Sequence, residues 1–322
     1  MKAIRLNRYG GIDALHYEEV PTPKPGTGEV LVKITASGVN FIDTYMRSGL
    51  YKSSLPFTIG QEAAGVVEDR AHDVTEVEVG DHVGYIGIVG SYADYAIVPA
   101  SRIIKLPKEI SDRTAAAVLT QGLTAHYLAY STYPLESDDS ALIHAAAGGT
   151  GQLLVQMAKH RGATVFGTVS TEAKAKLAIE AGADDVIIYT EQDFEEETKK
   201  LTGGKGVQVV YDSVGKTTFE KSLNCLAPRG MMVLFGQASG PVPPFDPQLL
   251  NKSGSIFLTR PSLVHYTLTR EELLKRVEDV FELVISGQLK VRIDSTYPLK
   301  DAAKAHEILE TRQSRGKILI IP

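Results

Sequence analysis

The chain has no tryptophan and a single cysteine, Cys225. One thiol can form neither an intrachain disulfide nor a cluster of thiolate ligands, which excludes a disulfide framework and a cysteine-rich metal lobe. Positive charge is also in deficit: 34 Lys and Arg against 39 Asp and Glu leave a net charge of −5. A balance of that sign attracts neither a phosphate backbone nor an acidic bilayer, so it disfavours nucleic acid and membrane as partners. No apolar run reaches the length of a bilayer-spanning helix, and "MKAIRLNRYGG" enters a strand-like pattern without an apolar leader. The expectation is a cytoplasmic protein. Low-complexity segments are missing too, and with 43% hydrophobic and 23% charged residues the composition is that of a folded chain. At roughly 150 residues per domain, 322 residues predict two domains.

From residue 1 to about 120 the pattern is one of short Val- and Ile-rich runs, among them "EVLVKI", "AAGVVE", "DHVGYIG" and "DYAIVPA", separated by clusters such as "PTPKPGTGE". That spacing predicts an all-β unit. Ser111 or Asp112 then reads as a helix N-cap, followed by a helical stripe of Ala115, Val118, Leu119 and Leu123 running to Tyr133. From residue 141 onward six strand-like runs follow: "ALIHA", "TVFGTV", "DVIIY", "VQVVYD", "MMVLFG" and "SIFLTR", the first four separated by helical patterns. Alternation of this kind predicts βαβ units and a parallel sheet with helices on both faces. The tail adds "TREELLKRVEDVFELVISG", a strand, "LKDAAKAHEILETRQ" and "KILIIP", and is expected to return to the N-terminal domain.

The glycines of "HAAAGGTGQLLVQMAKHRG" fall between a buried strand and an amphipathic helix closed by Gly162. Ala146, Gly148 and Gly151 spell an A-x-G-x-x-G variant of the dinucleotide fingerprint. Glycines would also serve a plain tight turn, but the strand before, the helix after and the βαβ train all favour free N–H groups facing a pyrophosphate. The next strand selects the nucleotide. An NAD site usually places Asp or Glu at the end of this strand to bind the ribose hydroxyls. Here Gly167, Thr168, Val169 and Ser170 stand there, with no carboxylate before Glu172 and a cation at Lys174. Hydroxyls and an ammonium suit the 2′-phosphate of NADPH, which an acid would repel.

This arrangement resembles the medium-chain dehydrogenase/reductase superfamily over essentially the whole chain, and within it the zinc-free quinone oxidoreductases, the zeta-crystallin-like group. The matching stretches are "GVNFIDTYMRSGLY", "AAAGGTGQLLVQMAK", "GTVSTEAKA", "DSVG", "FGQASG", "LTRPSL" and "YPLKDAAKAHEILE". The resemblance implies an α/β fold: a GroES-like β-rich catalytic domain at 1–123 and 267–322, and a Rossmann doubly wound parallel six-stranded sheet at 124–266 that binds NADPH. It also carries over cofactor contacts. Thr124, Ala147, Gly148, Gly149, Thr150 and Gly151 would lie along the pyrophosphate, with Thr168, Ser170, Lys174 and Tyr189 around the 2′-phosphate. Ser213 would stand near the adenosine side, and Phe235 and Gly236 beside the nicotinamide. The chain departs from many relatives at Gln237 and, near the C-terminus, at Arg315 and Lys317, so no contact is carried over to those positions.

Zinc-dependent members hold their metal with a Cys in "G-V-C" and a His in "G-H-E"; here Asn40 and Gln61 stand at those places. Neutral amides are poor zinc ligands, and the eight histidines show no ligand-like spacing. Without a Lewis acid, hydride can still pass to an acceptor that stabilises the resulting charge itself, as a quinone does. Tyr45 and Tyr51 are then the candidates to hydrogen-bond or protonate the acceptor oxygen, and Asn40 and Asp43 would position ring and cofactor. The resemblance implies an NADPH-dependent quinone reductase acting as a homodimer, paired near "SIFLTRP". Two alternatives stand beside it: an NADPH-dependent reductase of enoyl or alkenal double bonds, and an NADPH-binding structural or RNA-binding protein of the zeta-crystallin type.

Overall fold

Six parallel strands form the central sheet of one of the two units into which the chain divides; the computed structural model describes residues 1–322. This α/β unit comprises Gln121–Thr267 and Gly287–Lys290. Its strands are Ser140–His144, Thr164–Val169, Asp185–Ile188, Val207–Asp212, Leu226–Leu234 and Phe257–Thr259. Numbered by appearance, they pair in the order 3-2-1-4-5-6, every pair parallel. That is the order of a complete doubly wound sheet, which reverses direction between its first and fourth strands and leaves a crevice at their C-terminal ends. The apolar runs predicted as strands are buried because helices cover the sheet. Leu142, Phe166, Val210 and Met232 share one core with Phe194, Phe219 and Leu223 from those helices.

The β-rich unit comprises Met1–Thr120, Leu268–Ser286 and Val291–Pro322. Its central strand, Glu29–Val39, pairs antiparallel with Glu62–Arg70, Tyr95–Pro99 and Lys317–Ile321, so the C-terminal strand does return to the N-terminal segment. Thr269 caps the helix Arg270–Ile285, its side chain accepting from Glu272 N–H while the Glu272 carboxylate reaches back to Thr269 N–H. No helix is long and apolar enough to cross a membrane.

Two expectations need correction. The N-terminal region is not all-β: Phe41–Ser48 is an α-helix. Asn40 stands extended at its N-cap, the Asp43 carboxylate accepts from Asn40 N–H at 2.8 Å, and Gly49 closes it in the left-handed region at φ 81°. Eight residues are too few to show a helical stripe, and only the caps betray the helix. The long helix after Ser111 also stops being α-helical before Tyr133. Asp112–Tyr127 is α-helical and Leu128–Thr132 widens into a π turn, in which the Leu128 carbonyl accepts from Tyr133 N–H at 3.2 Å and also from Tyr211 OH at 3.1 Å.

Candidate active site

The first strand ends at His144, and Ala145, at φ 52°, turns the chain toward the helix Gly149–His160. Gly148 is the N-cap and no side chain caps this helix, so its first-turn N–H groups are left for another partner. The three glycines differ in purpose. A Cβ on Gly151 would lie 2.2 Å from Ala145 O, which explains Gly151 by the close approach of helix to strand. On Gly149 it would lie 2.1 Å from Gln121 Oε1, so that glycine admits the Gln121 side chain. Gly148 is far less crowded, its nearest atom being Ala145 O at 3.2 Å, so space is open beside its Cα although its N–H donates to Ala145 O and its carbonyl accepts from Gln152 N–H, each at 2.9 Å. Ala147 is buried with its carbonyl held by Gln152 Nε2 at 2.7 Å; Thr124 and Thr150 are half-buried.

At the end of the second strand no acid follows Val169. Ser170 and Lys174 are half-buried, Tyr189 is exposed, and Tyr189 N–H donates to Val169 O at 3.0 Å, which brings Tyr189 beside Ser170. Thr171 caps the next helix by accepting from Lys174 N–H, fixing where the lysine starts. Thr168 departs from expectation. It is 1% exposed, its hydroxyl pairs with His144 Nδ1 at 2.8 Å and its carbonyl accepts from Ala146 N–H at 3.2 Å, so the hydroxyl is already used inside the sheet. At the fourth strand Asp212 accepts from Val214 N–H, Gly215 N–H and Thr218 Oγ1 at 2.7, 3.0 and 2.7 Å. Phe235 and Gly236 donate to the Asp212 carbonyl, and a Cβ on Gly236 would lie 2.4 Å from Ser213 O, so Ser213, Phe235 and Gly236 lie together.

In the β-rich unit the four catalytic candidates share the helix Phe41–Ser48 and its flanks. Tyr45 and Tyr51 meet edge to face at 5.5 Å; Tyr45 is half-buried and Tyr51 is 40% exposed. Asn40 and Asp43 point the other way. Asn40 Nδ2 donates to Glu62 Oε2 at 2.7 Å, and Asn40 Oδ1 accepts from Lys317 Nζ at 2.8 Å. Lys317 Nζ also lies 2.5 Å from Glu62 Oε2, and both of those charged side chains are buried. Glu62 Oε1 accepts from Thr120 N–H at 2.6 Å. Asp43 is wholly buried, its Oδ2 accepting from Asn40 N–H and Tyr92 OH, the latter at 3.0 Å. Both side chains are buried, with Asn40 held by Glu62 and Lys317 and Asp43 bonded at the start of the helix that carries Tyr45. Burial pushes the Asp43 carboxyl up to about 7, against the lowering effect of its two donors and of Lys317.

Glu62, Tyr92, His306 and Lys317 were not among the sequence candidates. For two of them a signal existed: Glu62 stands directly before the apolar run Ala63–Val67 and Lys317 directly before Ile318–Ile321, and a buried charge demands a partner. The residues present do not fit a catalytic zinc. Gln61 Nε2 lies 2.8 Å from Met46 Sδ, and the Lys317 ammonium stands against Asn40, where it would repel a second cation. No group of three His, Cys, Asp or Glu side chains is placed to hold a metal ion.

An alcohol dehydrogenase GroES-like domain family matches residues 26–108 and a zinc-binding dehydrogenase family residues 149–283. Over 99% of both chains, the protein is 46% identical to quinone oxidoreductase 1 of Escherichia coli K12. The chain belongs to the quinone oxidoreductases of the medium-chain dehydrogenase/reductase superfamily. This quinone oxidoreductase family member is also 43% identical, over 98% of both chains, to a 2-haloacrylate reductase of Burkholderia sp. Its backbone matches that of an Escherichia coli quinone oxidoreductase complexed with NADPH at a TM-score of 0.98, with 45% identity and all of both chains covered.

Proposed function

We propose that this quinone oxidoreductase transfers hydride from NADPH to quinones without a metal, as a cytoplasmic homodimer. The observation that carries the reading is the acid-free end of the second strand with Lys174 behind it, in a chain 46% identical along its length to a quinone oxidoreductase. NADPH supplies the hydride when bound. The uncapped turn at Gly148–Gly151, with Thr124 and Ala147, binds the pyrophosphate; Ser170, Lys174 and Tyr189 hold the 2′-phosphate. Ser213, Phe235 and Gly236 line the remainder, with Thr168 supporting the strand end from inside the sheet through His144. Residues 124–266 form the NADPH-binding domain, and 1–123 with 267–322 the catalytic domain. Tyr45 and Tyr51 meet the acceptor oxygen: each hydroxyl donates a hydrogen bond as negative charge builds there, and supplies a proton where the product needs one. Asn40 and Asp43 fix the turn from which Tyr45 projects.

The kinship with a 2-haloacrylate reductase favours one second reading, in which the acceptor is an activated carbon–carbon double bond. Steady-state NADPH oxidation against a panel of benzoquinones and naphthoquinones, and against a panel of acrylates and enoyl thioesters, decides between them. Higher kcat/KM on the quinones is expected; higher kcat/KM on any acrylate or enoyl thioester than on every quinone replaces the reading.

A further inference from the structure

Behind the helix Phe41–Ser48 lies a row of buried polar groups that the proposed hydride transfer does not touch. Arg47, 4% exposed, donates from Nη1 to His306 Nδ1 at 3.1 Å and grips the half-exposed Glu310 carboxylate with two bonds of 3.0 and 2.7 Å. His306, wholly buried, reaches Tyr92 OH through Nε2 at 3.2 Å, and Tyr92 reaches Asp43. Hydrogen counting fixes every direction in this row. A guanidinium only donates, so His306 Nδ1 accepts. Burial, with Arg47 adding to it, pushes the His306 ring down to about 3, so the imidazole is neutral and carries its one proton on Nε2. Nε2–H therefore donates to the Tyr92 oxygen, and the single Tyr92 hydrogen goes to Asp43 Oδ2.

We propose that Arg47, His306 and Tyr92 are positioning residues: a one-directional hydrogen-bond chain that holds Asp43 as the anchor of the turn carrying Asn40 and Tyr45. The proposal rests on the reading of Tyr45 as a residue that meets the acceptor. Asp43 Oδ2 takes both the last bond of this chain and the N–H of Asn40, so loosening the chain loosens the start of the helix. Glu62 and Lys317 act on the same turn from the opposite side, through Asn40, and their charges oppose each other at Asp43, Lys317 favouring its ionised form and Glu62 disfavouring it. Asp43 Oδ1 has no hydrogen-bond partner, so the protein's support of this carboxylate converges on Oδ2.

The experiment compares wild type with Tyr92→Phe, His306→Leu and His306→Gln, measuring NADPH oxidation with 1,4-naphthoquinone from pH 5 to 9 and the thermal midpoint over the same range. Gln can accept from Arg47 and donate to Tyr92; Leu can do neither. Tyr92→Phe removes a donor from the Asp43 carboxylate and raises its pKa further, while His306→Leu takes away the Nε2–H that supports the Tyr92 oxygen and so weakens that donor; the acid limb of the kcat profile is expected to move to higher pH in both. At pH 7 we expect kcat to fall about tenfold in both, with KM for NADPH unchanged and much of the loss restored in His306→Gln. An unmoved limb in Tyr92→Phe, or equal losses in His306→Leu and His306→Gln, overturns the proposal; should His306→Leu fail to fold, Tyr92→Phe alone decides. If wild type reduces no quinone, the proposed function fails, and the chain is judged on the thermal midpoint. An acid whose folded pKa is raised contributes stability at low pH that is lost as pH rises through that pKa. The loss should extend to higher pH in Tyr92→Phe, and an identical pH dependence in the two proteins overturns the chain.

Discussion

Lys174 is an unremarkable residue by itself, a half-buried lysine in the first turn of a helix. Its meaning comes from the carboxylate missing four to six residues earlier, where an NAD site would carry one. A charge-assisted bond to a phosphate contributes about 1.5–3 kcal/mol, roughly 10- to 100-fold in affinity. Lys174→Ala should therefore raise the Kd for NADPH by about that factor and leave the Kd for NADH nearly unchanged, measured by nicotinamide fluorescence titration. Equal losses for both nucleotides would remove Lys174 from the 2′-phosphate site. Thr168 shows the limit of reasoning from residue type. Its hydroxyl looked available at a strand end, but alternation along the strand turned it inward to His144, and side-chain direction follows from the partner strands.

At the scale of elements, the strand-turn-helix around Gly148–Gly151 was legible because strand, glycines and helix are contiguous. The roles of the individual glycines were not, since they depend on which atoms approach from outside the turn. Gly151→Ala forces a methyl against a backbone oxygen 2.2 Å away that no rotamer change can clear, so helix and strand must part. The expected cost is about 1–3 kcal/mol, read from the midpoint of urea unfolding. Gly148→Ala meets only one atom, at 3.2 Å, and should cost less stability while weakening NADPH more than Gly151→Ala does relative to its stability loss. The reverse ranking in unfolding would contradict the packing described for Gly151. The helix Phe41–Ser48 taught the opposite lesson. Strand-like spacing on both sides hid it, although Asn40, Asp43 and Gly49 spell its two caps in plain sequence.

At the scale of the whole molecule, the sixth strand of the parallel sheet is a free edge of three residues, Phe257–Thr259. Phe257 and Val264 beside it are each 59% exposed. An apolar sheet edge of this kind pairs readily with another copy. Sedimentation velocity should find a species of twice 34.8 kDa, and Phe257→Lys should shift it toward the monomer. A wild-type monomer at micromolar concentration would discard the homodimer.

What the sequence determined by itself is whatever neighbours in the chain can encode. Alternating apolar runs dictate a parallel sheet with helices on its faces, glycines between a strand and a helix make a phosphate turn, and the residues after the next strand select the nucleotide. Only the tertiary structure decided the interior of the candidate active site. Asn40 meets Lys317 across 277 positions, Glu62 meets Lys317 across 255, and Arg47 meets His306 across 259. Those pairs exist because the C-terminal strand Lys317–Ile321 lies along Glu29–Val39 and buries its leading charge there. A buried charge must be matched where the fold places it, and no local pattern states which distant residue will do so.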